Sequence, residues 1–222
     1  MGNLNLVTGR PADLRLYLVT DYELALKAGR TELEVVRAAV AGGVTAVQLR
    51  DKTRETGELY RAGRELREFC ASAGVAFIVN DRLDLALALE ADGLHLGQGD
   101  LPLEVARKIA GERLFIGLSV FTPEETLKAL AAGAGYLGAS PVFTSSTKPD
   151  AGAGMGLDGL GRVVRTAGQT PVVAIGAINA GNAAGVIETG ATGIAVISAL
   201  VSAPDITGAA RQLRRQIERN PK

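Results

Sequence analysis

Two aspartates sit just past apolar runs near the middle of this 222-residue chain. Asp81 follows Phe77–Val79 and Asn80, and Asp100 follows Gly93–Leu96 across a short Gly-Gln-Gly loop. If the two runs are neighbouring parallel strands, both carboxylates leave the same sheet edge. Such a pair suits a hard divalent cation bridging to a phosphorylated substrate. Taken singly, each aspartate also reads as a helix N-cap, because Asp81 precedes a helical run and Asp100 precedes Leu101-Pro102. The two roles are compatible, since one oxygen can cap while the other meets a cation.

Cations and hydroxyls recur at equivalent places. In Gln48-Leu49-Arg50-Asp51-Lys52, alternation puts Gln48, Arg50 and Lys52 on one side of an extended segment. An Arg fork beside a Lys point charge is a clamp for diphosphate. Arg54 and Glu55, just beyond, read as surface. Ser145-Ser146-Thr147-Lys148 precedes Gly152, Gly154 and Gly156, a composition for holding a monophosphate under a mobile loop. Ser119, Gly176 and Ser198 each close an apolar run, the last two where barrel enzymes often cradle phosphate on backbone N–H groups. His95 is the only histidine, which excludes a zinc-type site and a serine or cysteine triad and leaves it a packed or supporting role.

The elements that must position these residues are regular. Strands are expected at Leu14–Thr20, Val44–Leu49, Ala76–Val79, Ala91–Leu96, Leu114–Leu118, Gly135–Ala139, Pro171–Ile175 and Thr192–Ile197. Helices are expected at Glu32–Ala41, Glu55–Ala73, Arg82–Glu90, Leu101–Ala110, Pro123–Ala132, Leu157–Thr166, Asn182–Thr189 and Ile206–Arg219. The strands are continuous apolar runs, as parallel strands covered on both faces require. Eight strand–helix units in a chain of this length predict a single-domain (β/α)₈ barrel over residues 14–222, preceded by an arm at 1–13. An open doubly wound sheet fits less well, because Thr20-Asp21-Tyr22-Glu23 is no nucleotide loop.

Composition narrows the function. With 24 basic and 24 acidic residues, no global field recruits nucleic acid or an anionic membrane. No apolar run reaches spanning length, and no signal-peptide pattern opens the chain. The single cysteine, Cys70, reads as a packed residue in a cytoplasmic protein. There is no Trp for a base-stacking platform.

The ordered set Gln48-Leu-Arg-Asp-Lys52, Val79-Asn-Asp81, His95-Leu-Gly-Gln98-x-Asp100, Gly117-Leu-Ser119, Ser145–Lys148, Ala174-Ile-Gly176 and Val196-Ile-Ser198 resembles the thiamine phosphate synthase family along nearly the whole chain. The resemblance implies condensation of a hydroxymethylpyrimidine diphosphate with a thiazole phosphate, or its carboxylated form, releasing diphosphate after the C–O bond ionises. It places the pyrimidine diphosphate on Gln48–Lys52 and Asn80, with Leu49 and Asp51 inside that segment. Asp81 and Asp100 would bind Mg²⁺, Ser119 would meet the pyrimidine, and Lys148 would reach the diphosphate. The thiazole phosphate would lie on Ser145–Thr147, Gly176, Ile197 and Ser198. Catalysis would fall to Arg50, Lys52, Ser119 and Lys148. Three positions depart from the family pattern: Phe121 for a common His, Ala177 for the second of two glycines, and Thr144-Ser145 for Pro-Thr. A thiazole tautomerase or a non-catalytic binder of the same precursors on this barrel is the alternative. A homo-oligomer is compatible with the sequence and not specified by it.

Overall fold

The computed structural model describes residues 12–144 and 154–218. Eight parallel strands close a barrel in chain order: β1 (Leu16–Val19), β2 (Ala46–Leu49), β3 (Ala76–Asn80), β4 (Gly93–Leu96), β5 (Phe115–Val120), β6 (Tyr136–Ala139), β7 (Val172–Ile175) and β8 (Gly193–Val196). The helices are α1 (Tyr22–Lys27), α2 (Glu32–Ala41), α3 (Thr56–Ala73), α4 (Leu83–Ala88), α5 (Leu103–Ala110), α6 (Pro123–Ala131), α7 (Gly156–Ala167), α8 (Ala183–Glu188), α9 (Ser198–Val201) and α10 (Ile206–Glu218). The chain is thus one (β/α)₈ barrel, as its repeating pattern predicts.

Period-two alternation separates two cores. In β1, Leu16 and Leu18 join the large apolar layer between barrel and helices, while Tyr17 and Val19 join the smaller cluster inside. Cys70 packs fully buried in the outer layer, where burial pushes its thiol up to about 12. Among the described residues no helix is long and apolar enough to cross a membrane.

Differences from expectation are local. The short helices α1 and α9 carry too few turns for a visible apolar period. Asp21 starts α1 by accepting from Leu24 N at 2.9 Å. Residues 145–153, with the Ser145–Lys148 segment, lie outside the described residues, as do 1–11 of the arm.

Candidate active site

The site lies inside the barrel and at the C-terminal rim of its strands. Its floor is a chain of polar side chains pointing inward. Gln48 Nε2 donates to Tyr17 Oη at 2.8 Å, and Tyr17 Oη lies 3.2 Å from Tyr136 Oη. Tyr136 Oη lies 2.9 Å from His95 Nδ1, and His95 Nε2 lies 3.0 Å from Ser119 Oγ. Two glycines make room for these rings. A Cβ at Gly117 would stand 2.1 Å from Tyr136 Cζ, and one at Gly138 would stand 2.8 Å from His95 Cε1.

Burial raises both tyrosine hydroxyls and lowers His95 to about 4, so the imidazole is neutral at neutral pH. Gln48 donates at one end, and the chain beyond it has two senses: with one His95 tautomer Nδ1 accepts from Tyr136 and Nε2–H donates to Ser119, and with the other Nδ1–H donates to Tyr136 and Ser119 donates to Nε2. His95 therefore has the supporting role its isolation in the sequence suggests. The two tyrosines were not among the candidate residues; their only signal is a hydroxyl-bearing ring at an inward strand position.

Above this floor is a cavity of about 230 Å³, also lined by Arg50, Asn80 and Ser140. Next to it is a larger one of about 710 Å³, lined by Gly176, Ala177, Ile197 and Ser198 and, from the α1 segment, by Asp21 and Lys27. Ser140, Ile175, Ala195 and Ile197 line both, so they are two lobes of one site. The backbone tightens beside the larger lobe. Gly176 has φ 118°, and a Cβ there would meet Val142 N at 2.8 Å. Ala177 also has positive φ, 47°, and Asn182 Nδ2 donates to its carbonyl at 3.1 Å.

At the rim, adjacent strands β3 and β4 carry Asp81 and Asp100. Neither caps a helix with its side chain. The N-cap positions are Arg82 for α4 and Pro102 for α5, and Asp100 Oδ2 instead accepts from Gly97 N at 2.7 Å. Asp81 takes a left-handed φ of 60°. Burial, then the neighbouring Asp100 carboxyl, raises Asp81 to about 6, against the pull of Lys52 and Arg50. Asp100 is lowered, first by its hydrogen bond with Asp81. Two neighbouring carboxyls, one of them raised to about 6 by burial and by the other, are a place where a divalent cation relieves the repulsion of the ionised pair. Lys52 Nζ stands 4.0 Å from Asp81 Oδ2. Among the described residues no group of three or more His, Cys, Asp or Glu could hold a metal. A donor set of two carboxylates fits Mg²⁺, which keeps waters and takes phosphate oxygens for the rest.

The Leu49 side chain is 1% exposed and turns into the outer core, which leaves its backbone as the part that can meet a ligand. The Asp51 side chain is held by Thr53 and Arg54. One expectation needs correction. Arg54 is not a surface residue: its side chain is 12% exposed and pairs with both Asp51 and Glu32. The other described candidates, Gln48, Arg50, Lys52, Asn80, Asp81, Asp100, Ser119, Gly176, Ile197 and Ser198, surround the two lobes or their rim.

Similarity to known proteins extends over most of the chain. A family model described as thiamine monophosphate synthase matches residues 16–200. Thiamine-phosphate synthase of Moorella thermoacetica is 51% identical over 204 residues, 92% of this chain and 96% of that protein. That of Chloroflexus aurantiacus is 50% identical over 202 residues, 91% of this chain and 92% of that protein. A solved thiamine phosphate pyrophosphorylase from Pyrococcus furiosus superposes with TM-score 0.85 at 45% identity, covering 97% of this chain and 98% of that one.

Proposed function

The chain belongs to the thiamine monophosphate synthase family, and on that premise we propose that it joins a hydroxymethylpyrimidine diphosphate to a thiazole phosphate, releasing diphosphate. The observation that carries this reading is the two-lobed site with its carboxylate pair and cations at one end. One lobe would take the pyrimidine and the other the thiazole, placing the two reacting atoms near the shared wall.

In this reading the pyrimidine lies on the Gln48–Tyr17–Tyr136–His95–Ser119 floor, with Ser119 meeting it. Its diphosphate extends to the rim, where Arg50, Lys52 and Asn80 meet the phosphate oxygens, with Lys148 the further cation that the family resemblance assigns to them. Asp81 and Asp100 would hold Mg²⁺, which supplies charge neutralisation on the leaving diphosphate. The C–O bond to diphosphate breaks, and its electron pair leaves with the diphosphate. The thiazole nitrogen then gives its lone pair to the exocyclic carbon, forming the C–N bond. No proton has to move between protein and substrate, in accord with a neutral, hydrogen-bonded His95. What the residues supply is positive charge placed in advance around the departing group. Gly176, Ile197, Ser198 and the Ser145–Thr147 segment would hold the thiazole phosphate; where the ring carries a carboxylate, that group leaves as CO₂ and the ring carbon keeps the bonding pair and takes a proton from water.

The test is diphosphate release by the purified protein given both substrates and Mg²⁺. Asp81→Ala and Asp100→Ala are expected to lose the Mg²⁺-dependent release while melting cooperatively. Variants that keep wild-type turnover would overturn the assignment of the rim.

A further inference from the structure

The loop carrying Arg50 and Lys52 is tied down by a guanidinium that touches neither lobe. Arg54 Nε donates to Asp51 Oδ2 at 2.5 Å, and Arg54 Nη2 donates to Glu32 Oε2 at 2.6 Å. Its Cζ lies 4.2 Å from the centre of the Tyr22 ring. One side chain therefore joins the β2–α3 loop to the first residue of α1 and the first residue of α2. Asp51 closes the loop on itself by accepting from Thr53 N, Thr53 Oγ1 and Arg54 N. The side chains of Asp51 and Glu32 are only 2% and 6% exposed. Buried ion pairs gain little net stability over apolar packing of the same volume. Their direction is another matter: a planar fork that meets two separate carboxylates and a ring face fixes the backbone that carries it.

That backbone matters to the site on both sides. Arg50 lines the smaller lobe, and its N–H donates to Thr20 Oγ1 at 3.1 Å. Lys52 reaches towards Asp81. We propose that Arg54 is a positioning residue, holding the Arg50–Lys52 loop against α1 and α2 so that both cations stay aimed at the diphosphate. The inference rests on the synthase reading given above, because it takes diphosphate as the group those cations meet.

The experiment measures inorganic diphosphate binding in the presence of Mg²⁺ by calorimetry, together with the KM of each substrate. Arg54→Lys keeps a positive charge between the carboxylates but loses the fork. A Glu32→Gln, Arg54→Met double variant removes the Arg54–Glu32 pair, keeps the volume, and leaves Asp51 with its bonds from Thr53 N, Thr53 Oγ1 and the backbone N–H of residue 54. In each the diphosphate Kd is expected to rise about tenfold, as for other residues that orient a binding group. The KM for thiazole phosphate should stay within about twofold, and melting should remain cooperative. If the double variant does not fold, Arg54→Lys alone decides the matter. A folded Arg54→Lys protein with wild-type diphosphate affinity would overturn the proposal. So would an equal rise in both KM values, which a general loosening of the fold produces. Failure of the wild type to bind diphosphate with Mg²⁺ would instead count against the reading of the rim, and the role of Arg54 would fall with it.

Discussion

Replacing Asp81 by Asn should stabilise the metal-free protein while abolishing its activity. The Asp81 carboxyl is raised from 3.8 to about 6, chiefly by burial and by Asp100. A group whose folded value lies above its unfolded one holds more protons folded than unfolded between those two values. Stability therefore falls as pH rises through that window. A rise of this size corresponds to at most about 3 kcal/mol against the folded state once both carboxyls are charged. The lowering of Asp100 offsets part of it. The attraction to Lys52, whose side chain is 63% exposed, is already contained in that net rise. About 1–2 kcal/mol remains for Asn to recover. Asn also tolerates the left-handed φ of 60° better than most residues. For a domain of this size the gain is a Tm higher by about 2–8 °C. Melting curves in chelator at pH 8 and pH 4 measure it: the gain should be present at pH 8 and nearly absent at pH 4. Added Mg²⁺ should raise the wild-type Tm and leave that of Asp81→Asn unmoved. An Asp81→Asn protein less stable than wild type at pH 8 in chelator would refute the argument.

Three further outcomes follow from the same geometry. His95 is lowered to about 4, so the unfolded chain binds its proton first, and stability is lost as pH falls from about 6.5 towards 4. The loss is below about 3 kcal/mol, since the ring borders an open cavity, and an Asp81→Asn, His95→Gln protein should show a shallower acid loss than Asp81→Asn alone in pH-dependent denaturant titrations. Ser119→Ala should lower kcat by about 100-fold with a Tm change of a few degrees, read from steady-state kinetics and melting. Gly176→Ala places a methyl 2.8 Å from Val142 N at φ 118°, so it should cost about 1–3 kcal/mol by chemical denaturation and raise the KM for thiazole phosphate more than that for the pyrimidine substrate.

The barrel was legible because most strand residues are apolar on both faces, with Gln48, His95 and Ser119 as inward exceptions. Leu16 and Leu18 serve the outer core, and Tyr17 and Val19 the inner one, so the run reads as continuous whichever way each residue points. Asp81 and Asp100 were legible as a pair because neighbouring βα units put them on one rim. Choosing ligand over cap took the structure, where Arg82 and Pro102 occupy the cap positions. The floor was hidden by ring closure: Tyr17 and Tyr136 are 119 positions apart and meet only across the barrel interior. Arg54 was hidden for a similar reason. Its partner Glu32 lies 22 residues away, and a charge cluster does not disclose which member is buried. Asp51 shows the converse, since the side chain of a residue inside the Gln48–Lys52 segment holds the loop.

The most direct measurement is product formation from the two substrates by the purified protein, followed by mass spectrometry and diphosphate assay with and without Mg²⁺. The account expects thiamine phosphate and diphosphate in equal amounts, with Mg²⁺ required and chelator stopping the reaction. Absence of thiamine phosphate with Mg²⁺ and both substrates present at saturation would contradict it.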